Sequence, residues 1–171
     1  MTRPVLVTLC GLPGTGKTTL ARAVAGALPA QHLRIDTIET AMKARGFDFD
    51  GLRGDAGYVV AYALARDTLS LGASVVVDAV HGWSGAQALW DEALAGADAR
   101  HIVVELTCSD ATEHRRRIES RRPDLPGLSL PSWPDVEARA YASPVPPHLS
   151  IDTATTSLEA ATALILEIAH P

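Results

Sequence analysis

The sequence is short of several things at once, and each shortage removes a class of protein. Only two cysteines, Cys10 and Cys108, occur in 171 residues, and each closes an apolar run of β-formers instead of standing at ligand-like spacing. That pattern argues against a disulfide framework and against a zinc site, and it suits a reducing cytoplasm. Fifteen Lys and Arg against twenty Asp and Glu leave a formal charge of −5. The overall basic field that draws a protein to nucleic acid or to an anionic membrane is therefore missing, and any phosphate binding has to be local. No apolar run approaches the roughly 18 to 20 residues needed to cross a bilayer. The stretch from Val5 to Cys10 is also too short for a signal-peptide core, so the expectation is a cytoplasmic protein without a membrane partner.

What is present is the balance of one globular domain spanning residues 1–171, with 47% hydrophobic and 20% charged residues. Val5 to Cys10 reads as a strand, Gly11 to Gly16 as a glycine loop and Lys17 to Leu28 as a helix. His32 to Ile35 is a second short strand ending at Asp36, and Thr37 to Arg45 a helix stopped by Gly46. Tyr58 to Leu71 carries apolar residues on nearly every face, which predicts a buried helix. Ser74 to Asp78 has β-branched residues without alternation, as a strand covered on both sides requires. The grammar then repeats: helix over Ser84 to Ala95, strand over Arg100 to Thr107, helix over Asp110 to Arg122, and a loop from Pro123 to Pro134. A strand over His148 to Asp152 and a helix over Leu158 to Ala169 close the chain. Alternating elements predict an α/β fold, a three-layer α/β/α sandwich on a five-stranded, mainly parallel sheet with right-handed crossovers.

Gly11-Leu-Pro-Gly-Thr-Gly16-Lys17-Thr18 satisfies G-x-x-x-x-G-K-[ST] at a strand-to-helix junction, the setting of a Walker A loop. Glycines let successive backbone N–H groups converge on phosphate oxygens, and the helix N-terminus adds partial positive charge there. The phosphate-binding set is then Leu12, Pro13, Gly14, Thr15, Gly16, Lys17, Thr18 and Thr19. Lys17 would bridge the β- and γ-phosphates and the Thr18 hydroxyl would ligate Mg²⁺. Asp78, at the end of its strand, should stand at the carboxyl edge of the sheet and hold the metal's water shell, unless it is a cap or a structural acid. Asp36 should face the same cleft, where it would serve as a base for a substrate hydroxyl or cap the following helix. His114 to Arg122 is the dense basic segment of an acidic chain, and Arg117 and Arg121 stand at i and i+4. They are candidates for an arginine lid, over about 110–133, that neutralises the moving phosphoryl group. A solvated face, ion pairs with Glu113 and Glu119, or a nucleic-acid patch are the alternatives. Phe47, Tyr58 and Trp83 could wall an organic substrate, and His81 could contact it, although core packing accounts for residues of these types as well.

With the Walker A loop, Arg34-Ile-Asp36, Val75-Val-Val-Asp78 and Arg117-x-x-x-Arg121 in place, the chain resembles the small P-loop kinases, a group that includes chloramphenicol phosphotransferase, polynucleotide 5′-kinase and gluconate kinase. The resemblance is strongest to the chloramphenicol phosphotransferase type. It is carried by Ile35-Asp-Thr-Ile-Glu-Thr-Ala-Met42, by Val77-Asp-Ala-Val80 with Gly85-Ala-Gln-Ala-Leu-Trp90, and by Ile151-Asp-Thr153. It implies a nucleotide-kinase-like P-loop fold, ATP with Mg²⁺ as phosphate donor, Asp36 as catalytic base beside Lys17, and a small-molecule hydroxyl as acceptor. An antibiotic or a nucleoside-like compound would fit, in self-resistance or metabolism. A nucleotide or polynucleotide 5′-kinase is the alternative enzyme. Polynucleotide kinases usually carry arginine three residues after the catalytic aspartate, where this chain has Glu39, and that counts against a nucleic-acid partner. A nucleotide-binding regulatory or toxin-like module is the alternative of another class.

Overall fold

Every residue of Val5–Cys10 is buried, because this strand has helices on both faces and neighbours on both edges. A computed structural model describes residues 3–47, 55–83, 86–145 and 148–170. Along the chain run β1 (Val5–Cys10), α1 (Lys17–Ala27), β2 (Gln31–Arg34), α2 (Ile35–Lys43), α3 (Ala56–Ser70), β3 (Val75–Asp78) and α4 (Ala86–Ala93). They are followed by β4 (Arg100–Thr107), α5 (Ala111–Ser120), α6 (Trp133–Glu137), β5 (Leu149–Asp152) and α7 (Leu158–Ala169). The five strands form one sheet in the order β2-β3-β1-β4-β5, and all four pairings are parallel. No described helix is long and apolar enough to cross a membrane.

Strand periodicity divides the core into two. Val5, Val7, Leu9, Val104 and Leu106 meet Leu20, Val24 and Ile165 of α1 and α7 on one face. Leu6, Val75 and Val77 meet Ala61, Ala65 and Leu69 of α3, with Trp90 of α4, on the other. The chain leaves β1 toward the β2 edge and leaves β4 toward the β5 edge, so connections diverge at the carboxyl ends of these two neighbours, where open α/β sheets bind ligands. Register sharpens that edge, since Arg34 pairs with Asp78 across β2 and β3 and sets a cation beside a carboxylate.

The fold departs from the sequence reading in four places. First, β2 stops at Arg34, which puts Asp36 inside the first turn of α2; Arg34 is the N-cap, and no side chain caps this helix. Asp36 is therefore not a cap. Second, α3 is not buried all round: Gly57, Ala61, Ala65 and Leu69 form its buried stripe, and Val59, Leu64 and Leu71 are exposed. One sheet face covers one side of a helix, so the apolar excess stays outside. Third, α5 ends at Ser120, and Arg121 is extended (φ −66°, ψ 136°), so Arg117 and Arg121 do not share a helix face. Pro123 disfavours the helical region at the residue before it, which keeps the last turn from running on. Fourth, the short α6 begins within the expected loop, its first turn closed by Asp135, which accepts from the Ser132 backbone N–H at 2.8 Å.

Candidate active site

The loop between β1 and α1 can close only on glycines. At Gly11 (φ +135°) a Cβ would come within 2.2 Å of the Leu106 carbonyl oxygen, and at Gly14 (φ +83°) within 2.7 Å of Ile118 Cδ1. Lys17 lies buried beneath the loop, its Nζ donating to the Gly11 and Leu12 carbonyls at 2.8 Å each. Burial pulls its pKa down to about 8, with Asp78 and Asp36 pulling upward against that and Arg121 pushing further down. An anionic group in the loop would restore the preference for the charged form. Two helices brace the loop from outside: His114 of α5 donates from Nε2 to the Pro13 carbonyl at 2.7 Å, and its ring meets Trp133 of α6 edge-on at 5.2 Å.

A cavity of about 380 Å³ opens from this loop over the ends of β2 and β3. Lys17, Thr18, Asp36 and Asp78 line its floor, Ile35, Glu39, Tyr58 and Val80 its far wall, and Arg121 with Leu128 to Pro131 its roof. Asp78 is 4% exposed, and its Oδ2 has no hydrogen-bond partner, standing 3.8 Å from Arg34 Nε and 3.9 Å from His32 Nε2. A buried carboxylate oxygen left unpaired, in a residue that lines the same cavity as Thr18, fits a hydrated cation. Among the described residues no three His, Cys, Asp or Glu side chains cluster as a metal cage. Glu39 is held above the usual carboxylate range by burial.

On the other side of the loop a second cavity, about 280 Å³, lies between Gly16, Leu20, Leu106, Arg117 and the turn from Thr153 to Leu158. Arg117 forms its wall. Its Nε donates to Glu113 at 2.8 Å, Nη1 to Thr153 Oγ1 at 2.8 Å and Nη2 to the Thr153 carbonyl at 3.0 Å. Asp152 sets the turn by accepting from the Ser109 and Ala154 backbone N–H groups, both at 3.0 Å. A third space of about 270 Å³ over Gly14 to Thr19, edged by Arg117 and Arg121, connects the two.

Lys17, Thr18, Asp36, Asp78, Tyr58 and Arg121 thus meet in one cleft, with the loop Leu12 to Thr19 at its centre. Other candidates from the sequence stand elsewhere. His81 is buried at φ +49°, with Nδ1 toward the Leu9 carbonyl at 3.3 Å and Trp90 Nε1 donating to its Nε2 at 2.7 Å. Burial takes its pKa down to about 3, so the ring is neutral and locked in the packing. Trp83 packs edge-on against Tyr58 at 4.6 Å, behind the cleft wall, and Phe47 is 56% exposed after α2 without lining the cleft. Two charged residues had no assigned role in the sequence reading: Arg34, buried beside Asp36 and Asp78, and Asp124, which it holds. Alternation along β2 was the available signal, since it points an arginine inward where a core residue is expected.

Residues 6–126 match the model of a family described as an AAA domain. The chain belongs to this family. Among solved structures it is similar to the APS kinase of Mycobacterium tuberculosis in complex with AMPPNP and APS, at 18% identity over 100% of both chains and a TM-score of 0.76. It is also similar to a sugar kinase from Janibacter sp. HTCC2649 (17% identity, 96% of this chain and 93% of that one, TM-score 0.68). A gluconokinase from Sinorhizobium meliloti 1021 matches over 99% of this chain and 95% of its own, at 18% identity and a TM-score of 0.64. No curated protein matches the chain. The fold is therefore that of the small P-loop kinases.

Proposed function

We propose that the protein is an ATP-dependent phosphotransferase of the cytoplasm that phosphorylates a hydroxyl group of a small molecule. The observation that carries this reading is the pair of cavities on either side of the phosphate loop, one walled by Arg117 and Thr153, the other floored by Asp36 and Asp78, with the space over Gly14 to Thr19 between them. A nucleoside would occupy the first, its phosphates the loop, and the acceptor the second. Bound Mg²⁺, held by Thr18 and through water by Asp78, would neutralise charge on the β- and γ-phosphate oxygens. Lys17 would stabilise those oxygens as charge moves. The acceptor oxygen attacks the γ-phosphorus, the bond to the β-bridging oxygen breaks, and the hydroxyl proton passes to Asp36 late in transfer.

The resemblance of Ile35 to Met42 to the chloramphenicol phosphotransferase type favours an antibiotic or nucleoside-like acceptor. Glu39, in the cleft wall, and the net charge of −5 weigh against a polynucleotide end. The test is ATP consumption with Mg²⁺ across amphenicols, aminoglycosides, nucleoside antibiotics, nucleosides and oligonucleotide 5′-ends, with mass spectrometry for the product. A phosphate adduct on a small hydroxyl compound is expected. Phosphorylation of oligonucleotides alone would overturn the reading.

A further inference from the structure

Arg34 ends β2 with its guanidinium buried beside Asp36 and Asp78 of the cleft floor, and Asp124 reaches it from the stretch of chain between the roof residues Arg121 and Leu128. Two parallel bonds join them, Nη1 to Oδ2 at 2.7 Å and Nη2 to Oδ1 at 3.0 Å, the fork-to-fork geometry that arginine makes with a carboxylate. Arg22 of α1 adds a bond to Asp124 Oδ2 at 3.0 Å. These bonds hold the Asp124 carboxyl below the usual range, the Arg34 contact first among them. What remains of Arg34 is a single longer bond from Nη2 to Asp36 Oδ2 at 3.2 Å, and Nε turned toward Asp78 at 3.8 Å without a hydrogen bond.

One buried cation therefore serves three carboxylates, and it serves them unequally. A carboxylate beside a free guanidinium takes both forks and binds through both oxygens. On Asp36 that arrangement would occupy the oxygens needed for a proton. Asp124 takes the fork instead, and Asp36 is left tethered through one oxygen with its side chain 46% exposed to the cleft. The partner that does this comes from the roof, a few residues beyond Arg121.

We propose that Arg34 and Asp124 are positioning residues: by pairing with Arg34, the roof segment keeps Asp36 tethered through one oxygen and open through the other, so that roof closure and the readiness of the base are one event. This rests on the reading of Asp36 as the base. Neither residue touches the reacting atoms, and each acts through Asp36.

The probe is ATP with Mg²⁺ and water as acceptor, followed with hydrogen exchange of the nucleotide-free protein. Asp124→Asn and Arg34→Gln should each lower ATP hydrolysis by about 10- to 100-fold, the loss typical of a misplaced catalytic group, with KM for ATP within about twofold of wild type. The double variant should be no slower than the slower single one, because the two act as a unit. Amides of residues 124–131 should exchange faster in both. Asp124→Glu, which keeps the fork, should recover most of the rate, and it guards against a fold defect in the asparagine variant. Additive losses would overturn the proposal, as would faster exchange with unchanged hydrolysis. The Asp36→Asn control separates two failures. If it hydrolyses ATP at the wild-type rate, Asp36 is not the base. If it is slow while Asp124→Asn is not, only the coupling is wrong.

Discussion

On the proposed reading Lys17 and Asp36 carry the largest expected effects, because no neighbour in the cleft duplicates either group. Lys17→Ala should reduce ATP turnover by more than about 10²-fold, since the positive charge that follows the moving phosphoryl oxygens is gone. The fold should persist with a loss of about 1–2 kcal/mol, because the Gly11 and Leu12 carbonyls lose the donor they share. Turnover close to wild type would sink the assignment of the loop. Asp36→Asn keeps shape and removes the proposed base, so kcat should drop by about 10²-fold or more while ATP affinity, read by calorimetry, changes little. Asp36 was identifiable in the sequence by its place at a strand-to-helix corner. Arg34, two residues earlier, was not, because one sequence does not say whether an inward arginine finds three carboxylates or water.

α5 was expected as far as Arg122, but its end at Ser120 sets the two arginines in different places. Arg117 sits on the helix and walls the cavity proposed for the nucleoside, whereas Arg121, past the helix end, edges both the phosphate space and the acceptor cleft. Arg117→Ala should therefore raise KM for ATP severalfold with a smaller change in kcat, and Arg121→Ala should lower kcat more than it weakens ATP binding. Steady-state kinetics on both variants would check this. The same profile for the two, or no effect from either, would overturn this division. The bracing of the phosphate loop by α5 and α6 through His114 and Trp133 is a property of packed elements, and neither residue carries a motif that announces it.

For the whole molecule, His81 ties stability to pH. Its folded pKa, about 3, lies below the unfolded value near 6.5, so between them the unfolded chain binds more protons. The contribution of His81 is then full above about pH 6.5 and declines as pH falls toward 3, by up to about 1.4 kcal/mol per pH unit. Asp124, held low by Arg34, adds loss below about pH 4. Thermal melts from pH 7.5 to 4.5 should show this fall. His81→Asn, which suits the left-handed backbone at φ +49°, should flatten the slope between pH 6.5 and 4.5 whatever it does to the absolute Tm. An unchanged slope would mean that another group titrates.

Local chemistry was written in the chain. A continuous apolar run, a glycine loop with Lys17 and Thr18, and acids at strand ends specify a parallel sheet with a phosphate site, because strand burial, backbone freedom and helix polarity act within a few residues of one another. Tertiary structure alone decided which charges meet. Strand register sets Arg34 beside Asp78, the path after α5 brings Asp124 down from the roof, and sheet packing turns His81 away from the cleft while leaving Val59 and Leu64 of α3 outside. Each of these depends on residues far apart in sequence, and the energy of a buried charge or an apolar face is set by what packs against it.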